Sequence, residues 1–141
     1  MEPTTILPPD YHPSANEEYM NDVMLEYFRQ KLLSWKKSLI NQSKDTLDDL
    51  KQGGLNQPDQ IDRASLEADK ALELRTRDRA RKLISKIDEA LKRIEDGVYG
   101  YCEETGEPIG VDRLDVRPVA TLSIEAQERH ERMEKTYDDE A

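Results

Sequence analysis

The chain has 141 residues, of which 37% are charged and only 6% aromatic, and its formal net charge is −10. A composition so polar does not fill a spherical core at this length; it suits helices with a narrow apolar seam and wide solvated faces. The acidity disfavours direct reading of DNA, because duplex binding rests on Lys and Arg displacing counterions; a basic protein channel is a better partner for an acidic surface, although acidity also serves solubility alone.

No apolar run approaches the roughly 18 residues that span a bilayer, and the N-terminus carries Glu2 and Asp10 in place of a basic cluster. A cytoplasmic protein is expected. The single cysteine, Cys102, excludes an intrachain disulfide and a multi-thiolate metal site.

Residues 1–19 contain Pro3, Pro8, Pro9 and Pro13 and no apolar period, which predicts a flexible tail. Asn21 is a fitting N-cap for the helix that follows. Leu25, Phe28, Leu32, Trp35 and Leu39 then step by three and four, forming a coiled-coil seam. The same steps reach Gln42, Thr46 and Asp49, so the seam turns polar in its last turns. Lys51-Gln52-Gly53-Gly54 is expected to stop the helix, since paired glycines combine a cap with a turn.

A second helix is expected from near Pro58-Asp59 to about Asp96, with Ala80, Ile84, Ile87, Leu91 and Ile94 as its seam and a polar early half. Both helices would be on the order of 50 Å long. Similar lengths and a short connection predict an antiparallel coiled-coil hairpin over 20–96, with its tip near 53–65. Gly97, Gly100, Gly106, Pro108, Gly110 and Pro118 then break the helical pattern, and 97–141 reads as a small globule. Within it Val98–Cys102 and Ile109–Val111 look like short strand pieces. A final helix is expected from Ser123 to about Tyr137, followed by the acidic tail Asp138-Asp139-Glu140. The fold class is mainly α.

Three clusters bear on function. At the hairpin tip, Asp59 and Asp62 lie one turn apart, with Ala64 and Ser65 beside them. Acids there cap a helix and favour its positive end; at the end of a long rod they also reach into a cavity, where metal ions or basic side chains would meet them. Between Arg75 and Arg93, eight basic residues stand against Asp78, Asp88 and Glu89. Arg79, Lys82 and Lys86 share one helix face, which suits a phosphorylated ligand or an acidic protein surface, or is merely solvated. Cys102, Thr105, Ser123 and Ala126 have the spacing of a four-cysteine zinc site but offer one thiol, so no zinc is expected. Cys102 itself reads as a small buried apolar group. No Ser-His-Asp set, P-loop or GxGxxG is present, so enzymatic activity has no support.

Leu74-Arg75-Thr76-Arg77-Asp78-Arg79-Ala80-Arg81-Lys82-Leu83-Ile84, Asp59–Ala64, Tyr99-Gly100-Tyr101-Cys102 and Ile109–Pro118 together resemble the DksA family of RNA polymerase regulators. The match runs from Glu18 to about Glu128. The resemblance implies a monomer whose coiled coil enters the polymerase secondary channel and which modulates initiation with guanosine tetraphosphate (ppGpp), as at ribosomal RNA promoters. It places the family's tip acids on Asp59 and Asp62. It places the positions facing the nucleotide on Arg79, Lys82, Leu83, Lys86 and Arg113, and one further basic position on Gln127. It also places the family's zinc cysteines on Cys102, Thr105, Ser123 and Ala126, as in reduced-cysteine members that keep the shape without metal. Two other readings stay open: a Gre-like transcript-cleavage factor, and a coiled-coil adaptor unrelated to transcription.

Overall fold

A computed structural model describes residues 5–55 and 60–140, with side chains described at 5–45 and 63–136. Four helices follow one another: α1 over Asp22–Leu55, α2 over Gln60–Asp96, α3 over Val111–Val116 and α4 over Ile124–Glu140. The mainly α class is therefore as expected. No helix among the described residues is long and apolar enough to cross a membrane. Contacts divide the chain into two compact units, Leu33–Asp88, and Met1–Leu32 together with Glu89–Ala141.

In the unit Leu33–Asp88, parts of α1 and α2 lie antiparallel. Lys36 donates to Asp88 Oδ1 at 2.7 Å, while further along Ile40 and Ser43 share a groove with Leu74, Arg77 and Ile84. Among its described side chains only Ile87 is fully buried. Leu33, Ile40, Leu72 and Leu74 are all at least 40% exposed, so the thin seam of the sequence is a thin seam in space.

The paired glycines do not stop α1. The helix runs through Gly53-Gly54 to Leu55, because glycine costs a helix only about 1 kcal/mol per residue relative to alanine and does not forbid it. The start of α2 at Gln60 agrees with the expected position.

The unit of Met1–Leu32 and Glu89–Ala141 holds the core. Asn21 caps α1 as expected, its Oδ1 accepting the Met24 N–H at 2.9 Å. Met24, Phe28 and Leu32 are fully buried at a spacing of four; Met24 takes the inward position that the periodicity gave to Leu25, which is half-buried. Ala90, Tyr99, Cys102, Ile109, Leu114 and Ala126 complete the interior. Glu26 is also buried, and its Oε1 accepts from Arg29 and Gln30 at 3.0 Å each.

Residues 5–21 form no helix or strand but make specific contacts. The Tyr19 hydroxyl donates to Gly100 O at 2.6 Å and accepts the Gly110 N–H at 3.0 Å. Tyr11 donates to Glu17 Oε1 at 2.8 Å and sits edge-on to Tyr27. Gly100 has a φ of +92°, which favours glycine, and a Cβ there would also stand 3.0 Å from the Met20 side chain and make it give way.

The expected strand pieces are corrected. Among the described residues they reduce to one antiparallel bridge, Tyr101 to Pro108, inside a turn closed by Cys102 N–H to Glu107 O at 2.8 Å and Ile109 N–H to Gly100 O at 2.8 Å. The positive φ at Gly100, Gly106 and Gly110 interrupts any longer ladder. Val111, taken as strand, opens α3, which turns Val111 and Leu114 inward. The last helix also extends past its expected end, since α4 continues through Asp138-Asp139-Glu140.

Phe28→Ala should destabilise the protein by about 3–5 kcal/mol, the range for emptying a buried aromatic site. Leu72→Ala, at a 59% exposed position, should stay within about 0.5 kcal/mol. Urea denaturation followed by circular dichroism checks both.

Candidate functional site

The sequence located function at a tip, a basic face and a four-residue cluster. Of the tip residues, Asp59 lies outside the described residues, as does the side chain of Asp62, whose backbone is in the first turn of α2. Ala64 and Ser65 are exposed on the same helix.

On α2, Arg79, Lys82 and Lys86 are exposed and Leu83 beside them is half-buried. Lys82 approaches Asp78 Oδ2 at 3.5 Å, and Arg81 bonds the other oxygen of the same carboxylate. The Arg81 hydrogen bond, then the Lys82 charge, hold Asp78 below its ordinary carboxylate range. Arg113 belongs to the other unit, where its Nε donates to Leu122 O at 3.0 Å. That bond holds the guanidinium on the 121–123 segment. Gln127 donates to Glu131 at 3.3 Å.

A second basic surface escaped the sequence reading. Ile40, Ser43, Leu74, Arg75, Arg77, Asp78, Arg81 and Ile84 line a groove of about 590 Å³. At about 100° per residue, Leu74, Arg77, Arg81 and Ile84 point roughly 150° away from Arg79, Lys82 and Lys86. The basic stretch is therefore split between two faces. The signal was available: Leu74, Arg77, Arg81 and Ile84 step by three, four and three, interleaving guanidinium and aliphatic groups.

The four-residue cluster does come together. Cys102 is only 3% exposed. Burial pushes its thiol up, but bonds from the Thr105 hydroxyl, the Ser123 N–H and the N–H groups of Thr105 and Glu104 outweigh burial and bring it down to about 6. Ser123 caps α4, its Oγ accepting the Ala126 N–H at 3.2 Å, and Ala126 is fully buried. Cys102 is thus buried as expected, but as a sulfur held by donors rather than as an apolar filler.

The RNA polymerase-binding transcription factor DksA of Caulobacter vibrioides is 62% identical to this chain over 131 residues, covering 93% of the chain and 92% of that protein. The chain belongs to the DksA family. The family model described as the DnaK suppressor protein DksA N-terminal domain matches residues 24–94. That of the prokaryotic dksA/traR C4-type zinc finger matches 97–132. The Escherichia coli K12 factor of the same name is 43% identical over 125 residues, covering 89% of this chain and 83% of that protein. The solved structure of the transcription factor DksA2 from Pseudomonas aeruginosa superposes with a TM-score of 0.79 at 41% identity, covering 86% of this chain and 95% of that one.

A C4 finger calls for four thiolates, and this DksA-family chain does not supply them. Ala126 has no donor atom, and Thr105 and Ser123 offer neutral hydroxyls, which are poor zinc ligands, beside a single thiol. One thiol, two hydroxyls and a methyl group are not the donor set of a four-cysteine finger.

Thiolate absorbance at 240 nm, with Cys102→Ser as the blank, should titrate with a midpoint near 6 in place of the ordinary 9.0. Because the folded value is the lower one, the stabilisation is complete above pH 9, shrinks as the pH falls, and is gone below 6. The melting-temperature difference between wild type and Cys102→Ser should accordingly widen from pH 6 to 9.

Proposed function

We propose that this chain regulates transcription initiation by binding RNA polymerase, acting through contacts rather than catalysis. The reading rests above all on the 62% identity to a factor named for polymerase binding, extending over 92% of that protein. In this account the antiparallel arms of α1 and α2 enter the secondary channel and carry Asp59 and Asp62 towards the catalytic centre. There the added negative charge competes for the magnesium ion or its basic neighbours and shortens the life of promoter complexes, as at ribosomal RNA promoters. Arg79, Lys82, Leu83, Lys86 and Arg113 take ppGpp against the polymerase, and Gln127, lacking a charge, weakens that contact. The protein works as a cytoplasmic monomer, reads no DNA sequence and carries no zinc.

Asp59→Asn keeps an oxygen that caps a helix about as well as Asp does, and Asp62→Asn gives up only a first-turn dipole interaction of about 0.3–1 kcal/mol. Both variants should fold and bind polymerase with near wild-type affinity, yet lose most inhibition of a ribosomal RNA promoter in a defined transcription assay. Wild-type inhibition by both would reduce the acids to caps and end this mechanism.

Elemental analysis of the purified protein should find far less than one zinc per chain, and a strong chelator should leave its melting temperature unchanged. Stoichiometric zinc, lost together with folding, would contradict the metal-free reading.

A further inference from the structure

The short helix α3 carries Arg113 and has little of its own to hold it in place. It is six residues long, and a helix so short gains too few hydrogen bonds to offset the cost of starting it. Val111 and Leu114 anchor one face in the core, but apolar contact is non-directional and does not set the helix's direction. A polar grip at each end does.

At the start, the Tyr19 hydroxyl accepts the Gly110 N–H at 3.0 Å while donating to Gly100 O at 2.6 Å. One hydroxyl thus joins the segment before α1, the turn after α2 and the entry to α3. Its ring sits edge-on to Tyr101 with centroids 5.6 Å apart. Burial lifts the phenol above its ordinary range, so the hydroxyl stays a donor.

At the other end, Lys31 Nζ donates to Asp115 O at 2.6 Å and to Asp115 Oδ1 at 2.8 Å, so it holds both backbone and side chain of that residue. Tyr27 donates to the same carboxylate oxygen at 2.7 Å, and the Lys31 ammonium lies 5.7 Å from the centre of its ring. Arg113 sits between these two grips, with its Nε on Leu122 O at 3.0 Å. That bond requires α3 and the 121–123 segment to keep their register; a shift of α3 carries the guanidinium off Leu122 O.

We infer that Tyr19 and Lys31 are positioning residues for Arg113: they touch no ligand, but by gripping the two ends of α3 they set where its guanidinium meets ppGpp. The inference rests on the reading of Arg113 as a nucleotide contact. It gives the segment before α1 a part in the nucleotide response. A contact preorganised by supporting bonds weakens when those bonds go, although the contacting residue itself is unchanged.

The test is a defined transcription assay on a ribosomal RNA promoter, with the full chain, RNA polymerase and rising ppGpp. Two quantities are read: inhibition without nucleotide, and the ppGpp concentration that gives half of the added inhibition. Arg113→Ala should raise that concentration most. Tyr19→Phe, which keeps the ring, and Lys31→Met, which keeps an aliphatic stem, should each raise it severalfold and leave nucleotide-free inhibition at the wild-type level. In an Arg113→Ala background neither should raise it further, since residues acting through one contact are not additive. Tyr11→Phe, which removes another hydroxyl bond of the same segment, should change neither quantity. Melting curves establish that each variant is folded at the assay temperature; should Tyr19→Phe unfold, Lys31→Met, with a 37% exposed side chain, decides alone. A wild-type nucleotide response in Arg113→Ala removes the nucleotide role of Arg113, and this inference with it. Loss of response in Arg113→Ala beside wild-type values in folded Tyr19→Phe or Lys31→Met overturns the inference alone. So does an equal shift in Tyr11→Phe, or a further shift on the Arg113→Ala background, either of which reduces Tyr19 and Lys31 to general supports of the fold.

Discussion

Tyr99 is the residue on which the larger unit is assembled. Its ring is 1% exposed and lies 5.6 Å from that of Phe28, which ties α1 to the chain just beyond α2. Its hydroxyl donates to Pro118 O at 2.8 Å, so the turn after α3 is drawn to the same point. The N–H groups of Val98 and Tyr99 both close on Arg93 O, satisfying a carbonyl that the end of α2 would otherwise leave orphaned. Burial lifts the Tyr99 phenol well above its ordinary range, so the hydroxyl stays a donor at any physiological pH. One aromatic side chain therefore gathers α1, the chain just beyond α2 and the turn after α3 at a single point, in a chain with few aromatics.

Around that anchor, polar groups do what a larger apolar core does elsewhere. Tyr27 and Lys31 converge on Asp115 Oδ1 at 2.7 and 2.8 Å, binding α1 to α3. Against the burial that would raise it, the Lys31 and Tyr27 bonds hold the Asp115 carboxyl low. Glu104 receives both Arg129 and His130 from α4. The Cys102 sulfur completes the set by joining the 102–107 turn to the start of α4. The turn and helix are thereby joined through the hydrogen bonds that Thr105, Ser123 and Glu104 direct at one sulfur.

How much of this could be read from residues alone depends on the range of the forces. Periodicity over tens of residues is a strong signal, so the two long helices, the Asn21 cap and the thin seam of the distal arms were legible. Gly53-Gly54 misled because a local propensity was set against helical context on its N-terminal side, and the context won. Met24 in place of Leu25 lies on the same buried face as Phe28, whose ring packs on Tyr99, a contact remote in sequence. The Val111–Val116 helix was hidden by its neighbours, since four glycines and two prolines suggested turns while the apolar spacing of Val111 and Leu114 said otherwise. Of the candidate site, composition identified the basic stretch and the thiol-poor cluster. The division of α2 into two faces needed the helical angle applied to every cation rather than to three of them, and the hydrogen bonds to Cys102 needed backbone N–H directions that no side-chain pattern encodes.

Asp78 stands between those two faces and serves both, with Arg81 on the groove side and Lys82 on the other. The helix thus has one counter-ion for two opposed surfaces. An anion that recruits Arg81 leaves the carboxylate to Lys82, and one that recruits Lys82 leaves it to Arg81. An anion binding at either surface would therefore compete with Asp78 for one of its two cations. A single turn of helix is in this sense a two-input balance, with a carboxylate as its beam.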